Sequence, residues 1–106
     1  MEMNIVEPKA VKDLLSKETG SELLDVRSES EKETADIGGK LIPLGELADR
    51  IRELDKNKSY IVYCHHGGRS AQAVNFLQER GFKKLWNLVG GIDRWSLDVD
   101  ESVPRY

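Results

Sequence analysis

The chain of 106 residues contains a single cysteine, Cys64, and its only two histidines, His65 and His66, follow that cysteine directly. One cysteine cannot form a disulfide within the chain, so the reducing cytoplasm is the compartment that we expect. The sequence has no run of about 18 apolar residues, which argues against a membrane-spanning helix. The first ten residues, MEMNIVEPKA, lack the basic segment and apolar run of a secretory signal, and no signal is expected.

Neither sign of charge dominates, because 16 Lys and Arg residues stand against 19 Asp and Glu residues, for a formal net charge of -3. This balance gives no sign of a basic surface for nucleic acid, so no nucleic-acid partner is expected. Hydrophobic residues make up 39% and charged residues 33%, which is typical of a globular domain. Length and composition predict one domain over residues 1–106, with a core from about residue 3 to residue 97 and a surface tail over 98–106.

Short apolar runs alternate with segments of helical periodicity along the chain. The runs Leu23–Val26 and Ser59–Cys64 predict two strands, and shorter strands are expected at Met3–Val6, Leu41–Ile42 and Lys84–Leu88. Apolar strands that alternate with helices favour a parallel sheet that is covered on both faces. The predicted class is therefore α/β, a three-layer α/β/α domain with a central, mostly parallel sheet of about five strands.

The helical segments carry recognisable start and stop signals. Pro8 suits the first turn of one helix, and Ser28 with Glu31 has the pattern of a capping box that opens a second. Three further helices are expected at Leu44–Ile51, at Ser70–Arg80 with Gly81 as its stop, and at Gly91–Leu97.

The lone cysteine stands at the end of the strand YIVYC, and ligands of parallel sheets bind at the carboxyl ends of the strands. Gly67 and Gly68 can both adopt positive φ, which would turn successive backbone N–H groups inward as an anion-binding nest. The N-terminus of the helix that Ser70 opens adds partial positive charge. This loop therefore favours a thiolate at Cys64, and Arg69 could hold an oxyanion with its planar fork.

Each of these features also has an ordinary structural explanation. A glycine pair is common in turns, serine is common at helix N-caps, and a lone cysteine is commonly a small buried hydrophobe. Their concentration at one strand end, over residues 64–70, favours a functional site. Zinc binding by Cys64, His65 and His66 is rejected, because adjacent ligands do not readily converge on one tetrahedral ion.

The segment CHHGGR, residues 64–69, resembles the C-x-x-G-x-R active-site loop of single-domain rhodaneses. LLDVR at 23–27 resembles the first core strand of that family, and IGGKLIPLGEL at 37–47 resembles the segment that follows it. NLVGGIDRW at 87–95 is similar to its C-terminal glycine-pair signature. Asp36 stands where relatives usually carry a histidine, and Ile92 stands where an aromatic residue is common.

The resemblance implies a sulfurtransferase that needs no metal and no cofactor. Cys64 would take the outer sulfur of a donor such as thiosulfate, form a persulfide, and pass the sulfur to cyanide, a thioredoxin-like thiol or an acceptor protein. Asp25 and Arg27 would support the loop, with Arg27 a weaker candidate for anion contact, and Ser70 would cap the helix and touch the sulfur. The implied sulfur-binding loop consists of His65, His66, Gly67, Gly68, Arg69 and Ser70.

Two other functions stay open. Phosphatases and arsenate reductases of the same fold have one more residue between the cysteine and the arginine, whereas four residues separate Cys64 from Arg69 here. By this resemblance, the smaller loop favours a sulfur atom over a phosphoryl group. A binding module without chemistry is the second alternative, and the intact Cys64 argues against it.

Overall fold

The computed structural model describes residues 4–16 and 21–106, so Met3 of the first predicted strand lies outside the described residues. A five-stranded sheet forms the centre, and all of its paired strands are parallel. The predicted α/β class is confirmed. The strands are β1 (Ile5–Val6), β2 (Ser21–Asp25), β3 (Lys40–Leu41), β4 (Ser59–Tyr63) and β5 (Leu85–Leu88), in the spatial order β1-β5-β4-β2-β3.

Helices cover both faces of the sheet: α1 (Pro8–Ser16), α2 (Glu29–Thr34), α3 (Leu47–Arg50), α4 (Gly68–Glu79) and α5 (Gly91–Asp98). None of the helices among residues 4–16 and 21–106 is long and apolar enough to cross a membrane. One core cluster lies between the sheet and helices α3 and α4, and a second lies between the sheet and helices α1 and α5. This arrangement gives the three predicted layers.

The central strand β4 determines which way the cysteine points. All five residues of β4 are buried, which explains the apolar run Tyr60–Tyr63 that follows Ser59. Side chains alternate between the two faces, so Tyr60 and Val62 enter the cluster beneath α4, while Ile61 and Tyr63 enter the other. Cys64 continues the alternation and joins the α4 cluster. Strand periodicity thus aims the thiol at the start of α4.

Two of the predicted helix signals are confirmed in detail. The backbone N–H of Glu31 donates to Ser28 Oγ at 3.3 Å, and the Ser28 N–H donates to Glu31 Oε1 at 3.3 Å, which is a complete capping box. At the end of α4, Gly81 takes a φ of 93°. The N–H of Phe82 then donates to the Leu77 carbonyl at 3.1 Å and satisfies one of the last carbonyls of the helix.

The single helix predicted at Leu44–Ile51 is wrong. The segment forms a 3₁₀ turn at Leu44–Glu46, the short helix α3, and a second 3₁₀ turn at Ile51–Glu53. Because a 3₁₀ turn brings residues three apart onto one side, the inward face differs from that of a regular helix. Leu47 is buried, whereas Ala48 is exposed, although its spacing from Leu44 would put it on the inward face of a regular helix.

The tail over residues 98–106, predicted to lie on the surface, is mostly exposed but carries one buried residue, Val103. Val103 belongs to the second core cluster, and Ser96 Oγ donates to the Val103 carbonyl at 2.5 Å. Burial of Val103 fixes the direction of the last residues. They turn back across the carboxyl ends of the strands, so Tyr106 reaches the loop that follows β4.

Asp36, at the position where the resemblance suggests histidine, holds the turn before β3. Its Oδ1 accepts a hydrogen bond from the Gly38 N–H at 2.8 Å and from Lys32 Nζ at 3.0 Å. A side-chain oxygen that accepts from the backbone two residues later is a common device of tight turns. The departure from the family pattern therefore has a local structural role.

Candidate active site

The sulfur of Cys64 lies at the floor of the loop that connects β4 to α4. Its Sγ accepts hydrogen bonds from the backbone N–H of Gly67 at 3.0 Å and of Ser70 at 3.4 Å. Donors that point at one atom stabilise negative charge there, as in an oxyanion hole. Only 1% of Cys64 is exposed, so the thiol is buried directly after β4.

One left-handed glycine is enough to form this loop. Gly67 takes a φ of 118°, a region that favours glycine, and it caps the N-terminus of α4. Gly68 does not have positive φ, and it is already the first residue of the helix, two positions before the predicted start at Ser70. The expected pair of left-handed glycines is therefore wrong for Gly68. Because the helix begins so early, its unpaired first-turn amides take over the role of the nest.

Ser70 lies beside the sulfur, with its Oγ 3.4 Å from Cys64 Sγ. The same hydroxyl is 3.0 Å from the Gly67 carbonyl oxygen and 2.5 Å from Asn87 Oδ1. One hydroxyl proton serves one acceptor at a time, so these oxygens compete with the sulfur for it. The expected contact with the sulfur is present, but Ser70 is not the N-cap of α4. Asn87, which begins the NLVGG segment, was not predicted as a site residue.

The N-terminus of α5 forms hydrogen bonds with the backbone of the loop that follows β4. Backbone N–H groups of Ile92 and Asp93 donate to the carbonyls of Cys64 at 2.9 Å and His65 at 3.1 Å. These bonds tie the backbone of the loop to the N-terminus of α5. Gly91 has a φ of 60°, and a side chain there would overlap both carbonyls. The second glycine of the C-terminal pair is therefore explained by the close approach of two backbones, and the first, Gly90, has a φ of 72° that favours glycine.

Arg27 is fully buried and braces the elements around the loop. Its Nε and Nη2 donate to the two carboxylate oxygens of Asp25, at 2.9 and 2.7 Å. Nη2 also donates to the Ala35 carbonyl, while Nη1 donates to the Glu31 carbonyl and to the Tyr106 hydroxyl. A guanidinium has five N–H donors, and all are engaged. The support expected of Asp25 and Arg27 is visible, but the anion contact suggested for Arg27 has no donor left in this arrangement.

Arg69 forms a two-bonded ion pair with Glu31 of α2. The Nη1 and Nη2 atoms of Arg69 lie 2.5 and 2.8 Å from the Glu31 carboxylate oxygens. Hydrogen bonds from Arg69 hold the pKa of Glu31 well below its usual range, so the carboxylate stays ionised at neutral pH. A substrate oxyanion that binds Arg69 must therefore compete with Glu31. The sequence predicted Glu31 only as a helix cap.

The ring of His65 is stacked between those of His66 and Tyr106, each with a centroid distance of 3.9 Å. Burial lowers the pKa of His65, and the neighbouring His66 lowers it further, which favours the neutral imidazole at pH 7. The Tyr106 hydroxyl donates to Glu31 Oε2 at 2.7 Å. Nothing in the tail sequence ESVPRY pointed to this role. Tyr106 thus encloses one side of the loop.

His65, His66 and Asp93 place one potential ligand atom each within 4.8 Å of one another. Asp93 comes from α5, a contribution that the sequence spacing of Cys64 and the histidines could not reveal. The rings of His65 and His66 are stacked on each other, with their planes 29° apart. Asp93 also accepts two hydrogen bonds from Arg105, at 2.9 and 3.3 Å. An ion would require both arrangements to change, so we assign no metal role to this cluster.

Comparison with known proteins agrees with the fold. The Rhodanese-like domain family matches residues 7–98, and the chain belongs to this family. A rhodanese-related protein from Thermoplasma volcanium has a similar structure, with a TM-score of 0.80 and 30% sequence identity over 95% of each chain.

Curated relatives include proteins named for sulfur chemistry. The chain is 38% identical to the putative sulfur carrier protein YrkF of Bacillus subtilis, over 83% of this chain and 48% of that protein. It is 34% identical to the thiosulfate sulfurtransferase GlpE of Coxiella burnetii, over 69% of each chain. It is 42% identical to the chloroplastic Rhodanese-like/PpiC domain-containing protein 12 of Arabidopsis thaliana, over 81% of this chain and 30% of that protein. The chain spans between 25% and 48% of the length of several such relatives.

Proposed function

We propose that the protein is a sulfurtransferase that carries a sulfane sulfur as a persulfide on Cys64. The observation that supports this most directly is the pair of backbone N–H groups directed at Cys64 Sγ, at 3.0 and 3.4 Å. In the first half-reaction the Cys64 thiolate attacks the outer sulfur of the donor. A new S–S bond forms at Cys64, the donor's own bond to that sulfur breaks, and its electron pair departs with the leaving group, which is sulfite when the donor is thiosulfate.

In the second half-reaction a thiophilic acceptor attacks the outer sulfur of the persulfide. The bond to Cys64 breaks, and its electron pair returns to Sγ as the thiolate that the N–H groups of Gly67 and Ser70 stabilise. Cyanide, a thioredoxin-like thiol or an acceptor protein would each satisfy this chemistry. The names of YrkF and GlpE support sulfur transfer as the function. The cytoplasm, where a lone thiol stays reduced, is the compartment that fits this chemistry.

Phosphatase activity is the weaker alternative. Four residues separate Cys64 from Arg69, and the sulfur is almost fully buried. Arg69, which would hold a phosphoryl oxygen, is paired with Glu31. Phosphoryl transfer to Cys64 would also need a general acid for the leaving group. The Glu31 carboxylate remains ionised and bound to Arg69, so it does not supply one.

A direct activity comparison tests this proposal. We expect the protein to form thiocyanate from cyanide and a sulfane donor, either thiosulfate or benzenethiosulfonate, well above the uncatalysed rate. Aryl phosphate hydrolysis should stay at background, because the loop closes on one sulfur atom. Both rates are measured on the same preparation. Aryl phosphate turnover that exceeds sulfur transfer would favour the phosphatase, and absence of both activities would favour a binding module.

A further inference from the structure

The positive charge of Arg69, in the loop that follows β4, is already neutralised by a carboxylate of the protein. The guanidinium of Arg69 lies against the Glu31 carboxylate through two hydrogen bonds, and that carboxylate stays ionised. A planar fork that meets a carboxylate in this way is the geometry that would otherwise bind a substrate oxyanion. Glu31 therefore occupies the place that the sequence led us to assign to the anionic part of a donor.

Glu31 is held in this place from several sides. The Ser28 N–H and Ser28 Oγ lie 3.3 and 3.2 Å from Glu31 Oε1, as part of the capping box of α2. The hydroxyl of Tyr106 donates to Oε2 at 2.7 Å. Burial raises the pKa of Tyr106 to about 12, so that hydroxyl keeps the proton it donates. The ion pair is thus a fixed part of the fold rather than a mobile pair on the surface.

The other arginines around the loop do not offer a substitute for Arg69. All five N–H donors of Arg27 are engaged, and Arg105 donates twice to Asp93. Among the described residues, each arginine around the loop has a carboxylate partner: Arg27 with Asp25, Arg69 with Glu31, and Arg105 with Asp93.

We propose that Glu31 is a specificity-determining residue that selects against dianionic donors, so that the preferred donor is the persulfide of a thiol, R–S–SH. This inference rests on the sulfurtransferase function proposed above. Thiosulfate brings two negative charges toward a thiolate and the Glu31 carboxylate, and like charges at short range repel each other. A thiol persulfide carries at most one charge on its reacting sulfurs, and it needs no free arginine.

The chemical step with such a donor is balanced without a co-reactant. The Cys64 thiolate attacks the outer sulfur of R–S–SH, the Sγ–S bond forms, and the donor's S–S bond breaks. The electron pair leaves on the inner sulfur, which takes the proton of the persulfide and departs as R–SH. The transferred sulfur keeps its oxidation state, so neither an oxidant nor a reductant is required.

The test compares Glu31→Gln with a matched control, Glu53→Gln. Glu53 accepts two similar hydrogen bonds from Arg50, at 2.7 and 3.2 Å. Neither residue belongs to the candidate site. The rate of Cys64 persulfide formation is measured with thiosulfate, with benzenethiosulfonate, which carries one charge, and with the persulfide of 2-mercaptoethanol. Each variant is compared with the unmodified protein for the same donor, so that differences in leaving group cancel.

We expect Glu31→Gln to raise the rate constant with thiosulfate by about tenfold, since one charge-assisted pair is released. The increase should be smaller with benzenethiosulfonate and smallest with the persulfide, and Glu53→Gln should change none of the three. Competitive inhibition by sulfate should strengthen in Glu31→Gln alone. An equal change for all donors, or none, would overturn the inference while leaving the sulfurtransferase function intact.

Two further results separate a loss of folding from a failed inference. Donor ratios are measured within one preparation, so a partly unfolded variant still reports its preference. Glu31→Asp keeps the charge, and it should retain the donor preference of the unmodified protein even if its overall rate falls. If Glu31→Asp showed the same donor preference as Glu31→Gln, the negative charge at residue 31 could not be what selects the donor. If the unmodified protein transfers sulfur from none of the three donors, the proposed function itself fails.

Discussion

Replacement of Cys64 by serine is expected to reduce sulfur transfer to below about a thousandth of the original rate, because the nucleophile is lost. The fold should persist, since a serine oxygen is smaller than the sulfur and can still accept from the N–H groups of Gly67 and Ser70. Thiocyanate formation and the thermal unfolding midpoint are measured on the same samples. Ser70→Ala is the matched control, because it removes a hydroxyl beside the sulfur and leaves the nucleophile in place.

A Cys64→Ser protein that keeps most of the activity would show that another group carries the sulfur. A Cys64→Ser protein that fails to fold would contradict the view that the loop backbone, rather than the thiol, determines the local structure. Ser70→Ala should fold and retain clear activity. Loss of all transfer in Ser70→Ala would instead show that the hydroxyl is as necessary as the sulfur.

Asp25→Asn is expected to destabilise the protein by about 3–5 kcal/mol, because it leaves the buried charge of Arg27 without a partner. The carboxylate accepts from Arg27 Nε at 2.9 Å and from Nη2 at 2.7 Å, and both side chains are completely buried. An asparagine of the same shape would present an N–H₂ group to one of these donors. The free energy of unfolding is measured by denaturant titration with intrinsic fluorescence.

The exposed ion pair of Arg50 and Glu53 provides the comparison for Asp25→Asn. Glu53→Gln removes a charge of the same sign from a pair that remains in contact with water, so its unfolding midpoint should change little. Equal stabilities for Asp25→Asn and Glu53→Gln would contradict the structural role assigned to Asp25 and Arg27. They would reopen Arg27 as a ligand for substrate anions.

The parallel sheet was predictable because each strand carries its own signal in consecutive residues. β4 is buried on both faces, and its run of apolar residues identifies it without knowledge of its neighbours. The segment at Leu44–Ile51 was predicted wrongly because its apolar spacing fits a regular helix, and such spacing does not distinguish one continuous helix from a short helix between 3₁₀ turns. Leu47 is buried, while the 3₁₀ turns on either side leave Ala48 in solvent.

Some residues of the candidate site could be predicted from the sequence, and others could not. Cys64 and the amides that surround it lie within a few residues of one another, so the sequence could predict them together. Glu31, Asn87 and Tyr106 reach the loop from α2, from β5 and from the tail, and only the folded chain brings them to the loop. The balance of charge at Arg69 was therefore invisible to sequence reasoning, because it depends on a contact across 38 residues.

The central claim is that Cys64 carries the transferred sulfur, and mass spectrometry of the donor-treated protein tests it most directly. The protein is incubated with a sulfane donor, freed of excess donor, and digested under conditions that preserve persulfides. We predict a gain of one sulfur atom on the peptide that contains Cys64, and loss of that gain after cyanide is added. A protein that gains no sulfur, or that gains it equally after Cys64→Ser, would contradict the account.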